Sequence, residues 1–440
     1  MKGFDIFASL PTSLACNILR DWLRLKSVVV LDSAYCCKAN RTFFGELLQS
    51  DEYFVHEKFI YPQNSNNLYA LPKFGDKIRC MYIKDNITNI QARLVAQYCR
   101  HLTHVYLNGP WCSSTLLCDA LNLNQDIELL DIHIPEFERR SGKHKLSFSG
   151  ISLPQVRTLA LTGYGFEHKY IVAALQMSSS IVRLNLRGAT LRESTLFEVQ
   201  RLCPNLISLG LSNTRIDGRW SDDALSELTA ACPHILHLDI DHALTNEPGT
   251  GITDTGILAV VQNLKGLQSL SLFDNYSLTE ASLVYIYTHS ANTLHTLRID
   301  SVPRLEEYGV SALNTLLERC TQLRKLYFFD WQQDSTRDVD ITLPATTLRN
   351  LTTLLLAGCV VCNHNLTTIR NYGSNLQHLA LFGSGIDNVS PSLLEGCPKL
   401  VEMYIELATS SFDLSVYKRD GLTVSSTIPE HILDFNVLDM

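Results

Sequence analysis

The chain has 440 residues, 45% of them hydrophobic and 19% charged, with a formal net charge of −8 at pH 7. That balance is ordinary for a folded chain and argues against widespread disorder, and the mild negative charge gives none of the basic stripe that nucleic-acid binding needs. No run approaches the ~18 to 20 consecutive apolar residues that span a bilayer.

The first segment, MKGFDIFASLPTSLACNILRDWL, is interrupted by Asp5, Pro11, Arg20 and Asp21 and does not read as a secretory leader. The 13 cysteines are an odd number, and many recur at matching positions rather than in pairs. A cytoplasmic or nuclear chain with reduced, packed thiols is expected. In that setting the N-x-S/T strings at Asn40, Asn86, Asn275 and Asn350 carry no glycosylation meaning. Between Leu10 and Leu48 apolar residues fall at Leu14, Ile18, Leu19, Trp22, Leu23, Val28, Leu31 and Cys36, a helical spacing, and Pro11 followed by Thr12 and Ser13 suits a helix start. Residues 1–50 are expected to form a small helical domain. Residues 51–77, aromatic and polar (Tyr53, Phe54, Phe59, Tyr61, then Pro72), read as a connector that caps the first unit of a repeat array.

From residue 78 to 406 one unit keeps returning. In CPNLISLGL (203–211) Leu206, Leu209 and Leu211 make an L-x-x-L-x-L string, and the same apolar spacing begins at Ile78, recurs through Leu267 and Leu323, and ends at Leu400. There are thirteen copies, 24 to 32 residues apart. A period in this range marks a stacked array in which no unit buries its own apolar face. Each unit reads as a short strand, a turn and a returning helix, with the helix clearest at 221–232, 253–264, 279–291 and 306–320. Ser221, Thr253 and Thr279 stand at N-cap positions, each followed by an acidic residue. The expected fold is α/β: a parallel solenoid, horseshoe-like, with strands on the concave face and helices on the convex one. Segments 133–155, 241–252 and 330–347 depart from the pattern, either as binding loops or as neutral insertions on an exposed edge. Residues 407–440 read as a C-terminal cap or tail.

Cys99, Cys203, Cys232, Cys320 and Cys397 each stand three residues before a repeat's first apolar position, in QYCRHL, RLCPNL, AACPHI, ERCTQL and EGCPKL, and GITDTGILAVV (251–261) has an "ITDxGL" helix start. These strings resemble the cysteine-containing subclass of leucine-rich repeats over roughly residues 78–405. Leu10-Pro11, Leu14, Ile18-Leu19, Leu23, Val28, Leu31 and Cys36-Cys37 resemble a diverged F-box, departing from that pattern at Lys26-Ser27 and in lacking a tryptophan after the cysteines. The resemblance implies that Leu10, Pro11, Leu14, Ile18, Leu19, Leu23 and Val28 dock a Skp-type adaptor of a cullin ubiquitin ligase while the repeats select a protein substrate. It also implies no catalysis by the chain itself.

The residues offer little chemistry of their own. Cys359-x-x-Cys362 with His364 is the one metal-like string, but two thiolates are half of a structural zinc set. Cys359 also occupies the slot held by Asn86, Thr214 and Asn275 in other units, where a small side chain bonds backbone in the turn after the strand. The common phosphate-loop, zinc-protease and serine-hydrolase strings are absent. No catalytic residue, metal or cofactor is expected. The residues between the leucines are more informative, because side chains on a strand alternate between faces. Phe273, Arg298, Asp300, Tyr327, Phe329, Phe382 and Tyr404 are expected on the face away from the core, where exposed aromatics beside charges would bind a partner. Two other arrangements fit the same pattern: aromatics on stacked strands cover one another, or the C-terminal tail folds into the face. A scaffold whose N-terminal helices merely cap the array remains the alternative to a ligase subunit.

Overall fold

The computed structural model describes residues 14–16, 59–61, 71–72, 74–84, 89–108, 114–134, 148, 150–163, 166–212, 214–216, 221–241, 251–273, 275, 277–300, 307–329, 341–357, 363–382, 391–406 and 421–425, and structural statements concern these. They fall into two compact units, Met1–Ile181 and Val182–Met440.

In the first unit, strands β1 (Phe59–Tyr61), β2 (Cys80–Lys84), β3 (His104–Asn108), β4 (Leu129–His133) and β5 (Thr158–Thr162) pair in parallel in chain order. The segment 51–77 thus supplies a strand, with Phe59 opposite Met81. Helices Asn89–Tyr98, Ser114–Asn122 and His168–Leu175 alternate with the strands. Met81, Val105, Leu130 and Leu159 align across the ladder and are buried, as are Ile83, Leu107, Ile132 and Leu161 two residues on. Asn124 ties adjacent units together: its Oδ1 accepts from the Leu102 amide (2.9 Å), and its Nδ2 donates to the carbonyls of Cys99 and Ala120.

In the second unit β6 (Arg183–Asn185), β8 (Ser208–Gly210), β10 (His237–Asp239), β11 (Ser269–Ser271), β12 (Thr296–Asp300), β13 (Lys325–Phe329), β14 (Thr353–Ala357), β15 (His378–Phe382), β16 (Glu402–Glu406) and β17 (Thr423–Ser425) form one parallel ladder. β7 (Thr190–Leu191) and β9 (Arg215–Ile216) make a separate short pair. β17 lies in the expected C-terminal segment and pairs with β16. The middle leucine of every unit, from Leu184 through Leu238, Leu297 and Leu354 to Met403, occupies a single buried row. A fully buried Leu is worth ~1.5–3 kcal/mol, so this row is the spine of the fold. The period-2 alternation and the helical return expected from the repeat are both present. These are leucine-rich repeats.

The helices begin at the caps that the sequence marks. Ser221, Thr253 and Thr279 are the N-caps of Asp222–Ala231, Asp254–Asn263 and Glu280–Ser290, and their hydroxyls accept from the amides of Ala224, Thr255 and Ala281. The acidic first residues Asp222 and Asp254 do more than favour the helix N-terminus. Asp222 accepts from the Thr253 amide (2.9 Å) and hydroxyl (2.5 Å), and Asp254 accepts from the Thr279 amide (2.9 Å), its hydroxyl (2.6 Å) and the Ser282 hydroxyl (2.5 Å). Glu193 takes the Ser221 hydroxyl in the same sense. Each cap is therefore held by the acid of the preceding helix. Of the irregular segment 330–347, residues 341–347 are described, and a four-residue helix, Ala345–Leu348, begins there although the sequence has no helical periodicity. No helix among the described residues is long and apolar enough to cross a membrane.

Candidate interaction face

The alternation that buries the leucines puts a second set of side chains on the other side of each strand. In the second unit the registers place Asn185, Gly210, Asp239, Ser271 and Arg298 in one row on β6, β8, β10, β11 and β12. The row continues with Tyr327, Leu355, Ala380 and Tyr404 on β13 to β16. It is polar or small at one end and apolar at the other, and Arg298 stands at the change.

Arg298 is held on both sides. Its Nη1 donates to Asp241 Oδ2 at 2.8 Å, and both side chains are largely withdrawn from solvent. Its guanidinium lies 4.7 Å from the Phe273 ring centroid and 5.6 Å from that of Phe329, and the two rings meet edge to face at 4.9 Å. Cation–π contacts of this kind are worth ~0.5–2 kcal/mol, more when desolvated. The other oxygen of Asp241 accepts from the Ser271 hydroxyl (2.5 Å) and the Phe273 amide (2.7 Å). Asp239 Oδ1 accepts from the Asp241 amide at 3.0 Å. Burial, and then the charge of Asp241, push the Asp239 carboxyl well above the usual carboxylate range, against the opposing pull of the Asp241 amide, Ser212 and Arg298.

The apolar end corrects an expectation. The sequence places Phe329, Phe382 and Tyr404 on an exposed binding patch. In the structure they are buried with Leu355, Ala357 and Ala380, and Phe273 and Tyr327 pack against this cluster partly buried. With strands ~4.8 Å apart, a small residue on one strand leaves space for the large rings on the strands beside it to close over it. Ala357 between Phe329 and Phe382, and Ala380 beside Tyr404, supply that space. Burial also raises the Tyr327 phenol above its ordinary value. Asp300 pairs in register with Phe329. The partner of Arg298, Asp241, lies 57 residues away in the chain, and Ser271 carries no sequence signal at all.

In the first unit Tyr82 and Tyr106 face each other at 6.5 Å, Asn108 donates to the Tyr82 hydroxyl at 2.7 Å, and His133 Nδ1 lies 2.9 Å from the Thr162 hydroxyl. Of the expected adaptor-docking residues only Leu14 is described. It is 46% exposed in a helical stretch, 14–16, whose Ala15 and Cys16 are fully buried. Leu10, Pro11, Ile18, Leu19, Leu23 and Val28 lie outside the described residues.

The repeat cysteines are packing groups. Cys99, Cys203, Cys232, Cys320 and Cys397 are buried. Burial pushes the thiols of Cys99, Cys203 and Cys320 up to about 12 and that of Cys232 to about 11, far from a nucleophile or a metal ligand. The turn slot bonds backbone: the Thr214 hydroxyl donates to the Leu211 carbonyl, and Asn275 Nδ2 donates to the Leu272 and Ile240 carbonyls. Cys359, Cys362 and Asn86 in the same comparison lie outside the described residues. Among the described residues no group of three or more His, Cys, Asp or Glu is placed to hold a metal ion.

A stacked array with inward leucines, cysteine-closed helices and a varied outer strand face defines a leucine-rich-repeat protein. No family model matches the chain. It is similar to F-box/LRR-repeat protein 17 of Arabidopsis thaliana, with 25% identity over 257 residues, 51% of this chain and 42% of that one. The chain thus spans well under half the length of this curated relative. Among solved structures, the Rad7 and Elc1 complex of yeast matches at a TM-score of 0.43 and 16% identity, covering 77% of this chain and 92% of that one. The leucine-rich-repeat-containing protein LegL7 of Legionella pneumophila matches at 0.38 and 13% identity, covering 78% and 97%.

Proposed function

We propose that the chain is the substrate-recognition subunit of a ubiquitin ligase of the Skp–cullin–F-box type. Residues 1–50 dock the Skp-type adaptor, the outer strand face of the repeats holds a protein substrate, and the chain itself catalyses nothing. The observation that carries the reading is the division of labour along each strand. The inward positions are uniformly apolar, whereas the outward ones change from Arg183 to Ser208, His237, Ser269 and Lys325 in one row, as a recognition surface requires. The similarity to an F-box/LRR-repeat protein supports the ligase part. Solvent exposure of Leu14 supports adaptor docking, whereas the burial of Ala15 and Cys16 fits equally a helix that only caps the array.

The test is co-purification of the full chain with a recombinant Skp-type adaptor, beside a variant lacking residues 1–50 and the substitution Leu14→Asp. The expected result is a complex with the full chain, lost on deletion and weakened by Leu14→Asp. No complex with the full chain, or one that survives the deletion, leaves the scaffold reading in its place.

A further inference from the structure

Among the described residues of the second unit six buried side-chain atoms have no hydrogen-bond partner, and besides Ser290 Oγ, His295 Nδ1 and Arg298 Nε these are Arg183 Nε, His237 Nδ1 and Ser269 Oγ on β6, β10 and β11. The last three belong to one row of the outer face, in which Arg183 pairs in register with Ser208, Ser208 with His237, and His237 with Ser269. A buried polar atom without a partner costs ~1–3 kcal/mol, and folded proteins seldom leave one, let alone three in a line. Ser269 is 1% exposed, while Arg183 and His237 are half-buried, so the row reaches the surface through those two.

The unmet atoms share the capacity to donate. The Arg183 Nε–H can only donate, and the serine hydroxyl and the imidazole nitrogen can donate or accept. The neighbouring acids are directed elsewhere: Asp241 accepts from Arg298, Ser271 and the Phe273 amide, and Asp239 from the Asp241 amide and Ser212. One strand separates Arg183 from His237, about 9.6 Å at the backbone, which a guanidinium side chain spans. The two are close enough that Arg183, after burial and together with His295, lowers the imidazole's proton affinity. An acceptor carried by a partner would meet all three, and one with negative charge would also match the Arg183 guanidinium.

We propose that Arg183, His237 and Ser269 form a docking point for an oxyanion, a carboxylate or phosphate group carried by the bound protein. This rests on the reading of the strand face as the substrate surface. It narrows the substrate to one presenting an acidic or phosphorylated residue.

The test uses the full chain labelled with 13C-histidine, titrated with inorganic phosphate and separately with acetate at constant ionic strength, and reads the His237 resonances. A saturable shift with either anion is expected, and which anion gives it identifies the source. Arg183→Met should weaken the response about tenfold, the ~1.4 kcal/mol of one charge-assisted contact. Arg201→Met, an exposed arginine paired with Glu198 on the helix Glu193–Leu202, should leave it unchanged. Ser269→Ala should weaken binding while raising the thermal midpoint of the free protein, since it removes an unmet hydroxyl. No saturable shift with either anion, or a shift that survives Arg183→Met, overturns the proposal. The adaptor pull-down reads residues 1–50 and fails or succeeds independently of this result.

Discussion

Gly256→Ala should destabilise the protein, although helix propensity alone predicts the reverse. Gly256 is the third residue of the helix Asp254–Asn263, and alanine there is favoured over glycine by ~0.8–1.0 kcal/mol. A Cβ at Gly256, however, would overlap the Asp222 carboxylate of the preceding helix and crowd Ile252. The far end of an aspartate can ordinarily swing away at little cost. This one cannot, because it accepts from both the amide and the hydroxyl of Thr253, the cap of the helix that contains Gly256. Hydrogen bonds to a charged group contribute ~1.5–3 kcal/mol each. Losing part of two such bonds outweighs the propensity gain, and a net loss of ~1–3 kcal/mol is expected.

Equilibrium urea unfolding followed by circular dichroism measures that loss, and the Asp222→Ala background decides its cause. With the carboxylate gone only the crowding of Ile252 remains, so Gly256→Ala should become near neutral or stabilising by up to ~1 kcal/mol. A change of sign between the two backgrounds is the diagnostic result. If Gly256→Ala stabilises the wild-type chain, or has the same effect in both backgrounds, the tie between adjacent helix starts is not what requires glycine there.

Three further outcomes are expected. Arg298→Met leaves Asp241 buried without its cation and should cost ~3–5 kcal/mol in the same unfolding assay, with much of the loss recovered when Asp241→Asn is added. Asp239→Asn tests the raised carboxyl: the folded state holds that proton more tightly than the unfolded chain does, so wild-type stability falls as pH rises from the ordinary carboxylate range toward the higher folded value. The thermal midpoint of Asp239→Asn relative to wild type should therefore rise with pH across that window, and a difference independent of pH would refute the assignment. Cys203 and Cys320, with thiols pushed to about 12, should resist iodoacetamide in the folded chain at pH ~8 and react only on unfolding, as read by mass spectrometry of the labelled peptides.

The leucine spine, the strand–helix order and the three N-caps are legible in the sequence because each rests on local rules: period 2 in a strand, and a hydroxyl before the first turn of a helix. The contacts that join one repeat to the next are not. Asp222 meets Thr253 across 31 residues and Arg298 meets Asp241 across 57, and no spacing rule connects such pairs. Alternation puts Phe329, Phe382 and Tyr404 opposite the leucines, yet it says which face a side chain takes and not what covers it there. Ser269 and Ser271 are hidden for the opposite reason. A serine on an outward strand position looks like ordinary surface, and only its burial, with a partner for Ser271 and none for Ser269, gives it meaning.

That difference separates the two ends of the outer face in the second unit. From β13 to β16 the large rings find apolar partners in one another and in Leu355, Ala357 and Ala380, so nothing further is needed to satisfy them. At β12 the charge of Arg298 is met by Asp241. From β6 to β11 Arg183 Nε, His237 Nδ1 and Ser269 Oγ remain unmet, and at β12 Arg298 Nε is unmet although its Nη1 is paired. A partner gains most where the free chain is least satisfied, so binding should be concentrated at the β6–β11 end while the aromatic end serves stability. Phe382→Ala should then cost ~3–5 kcal/mol of unfolding free energy with little change in anion response. Arg183→Met should do the reverse, weakening the anion response about tenfold without lowering stability, since it removes an unmet buried donor. If both substitutions move stability and binding together, the two ends are not separate in function, and the face works as one surface.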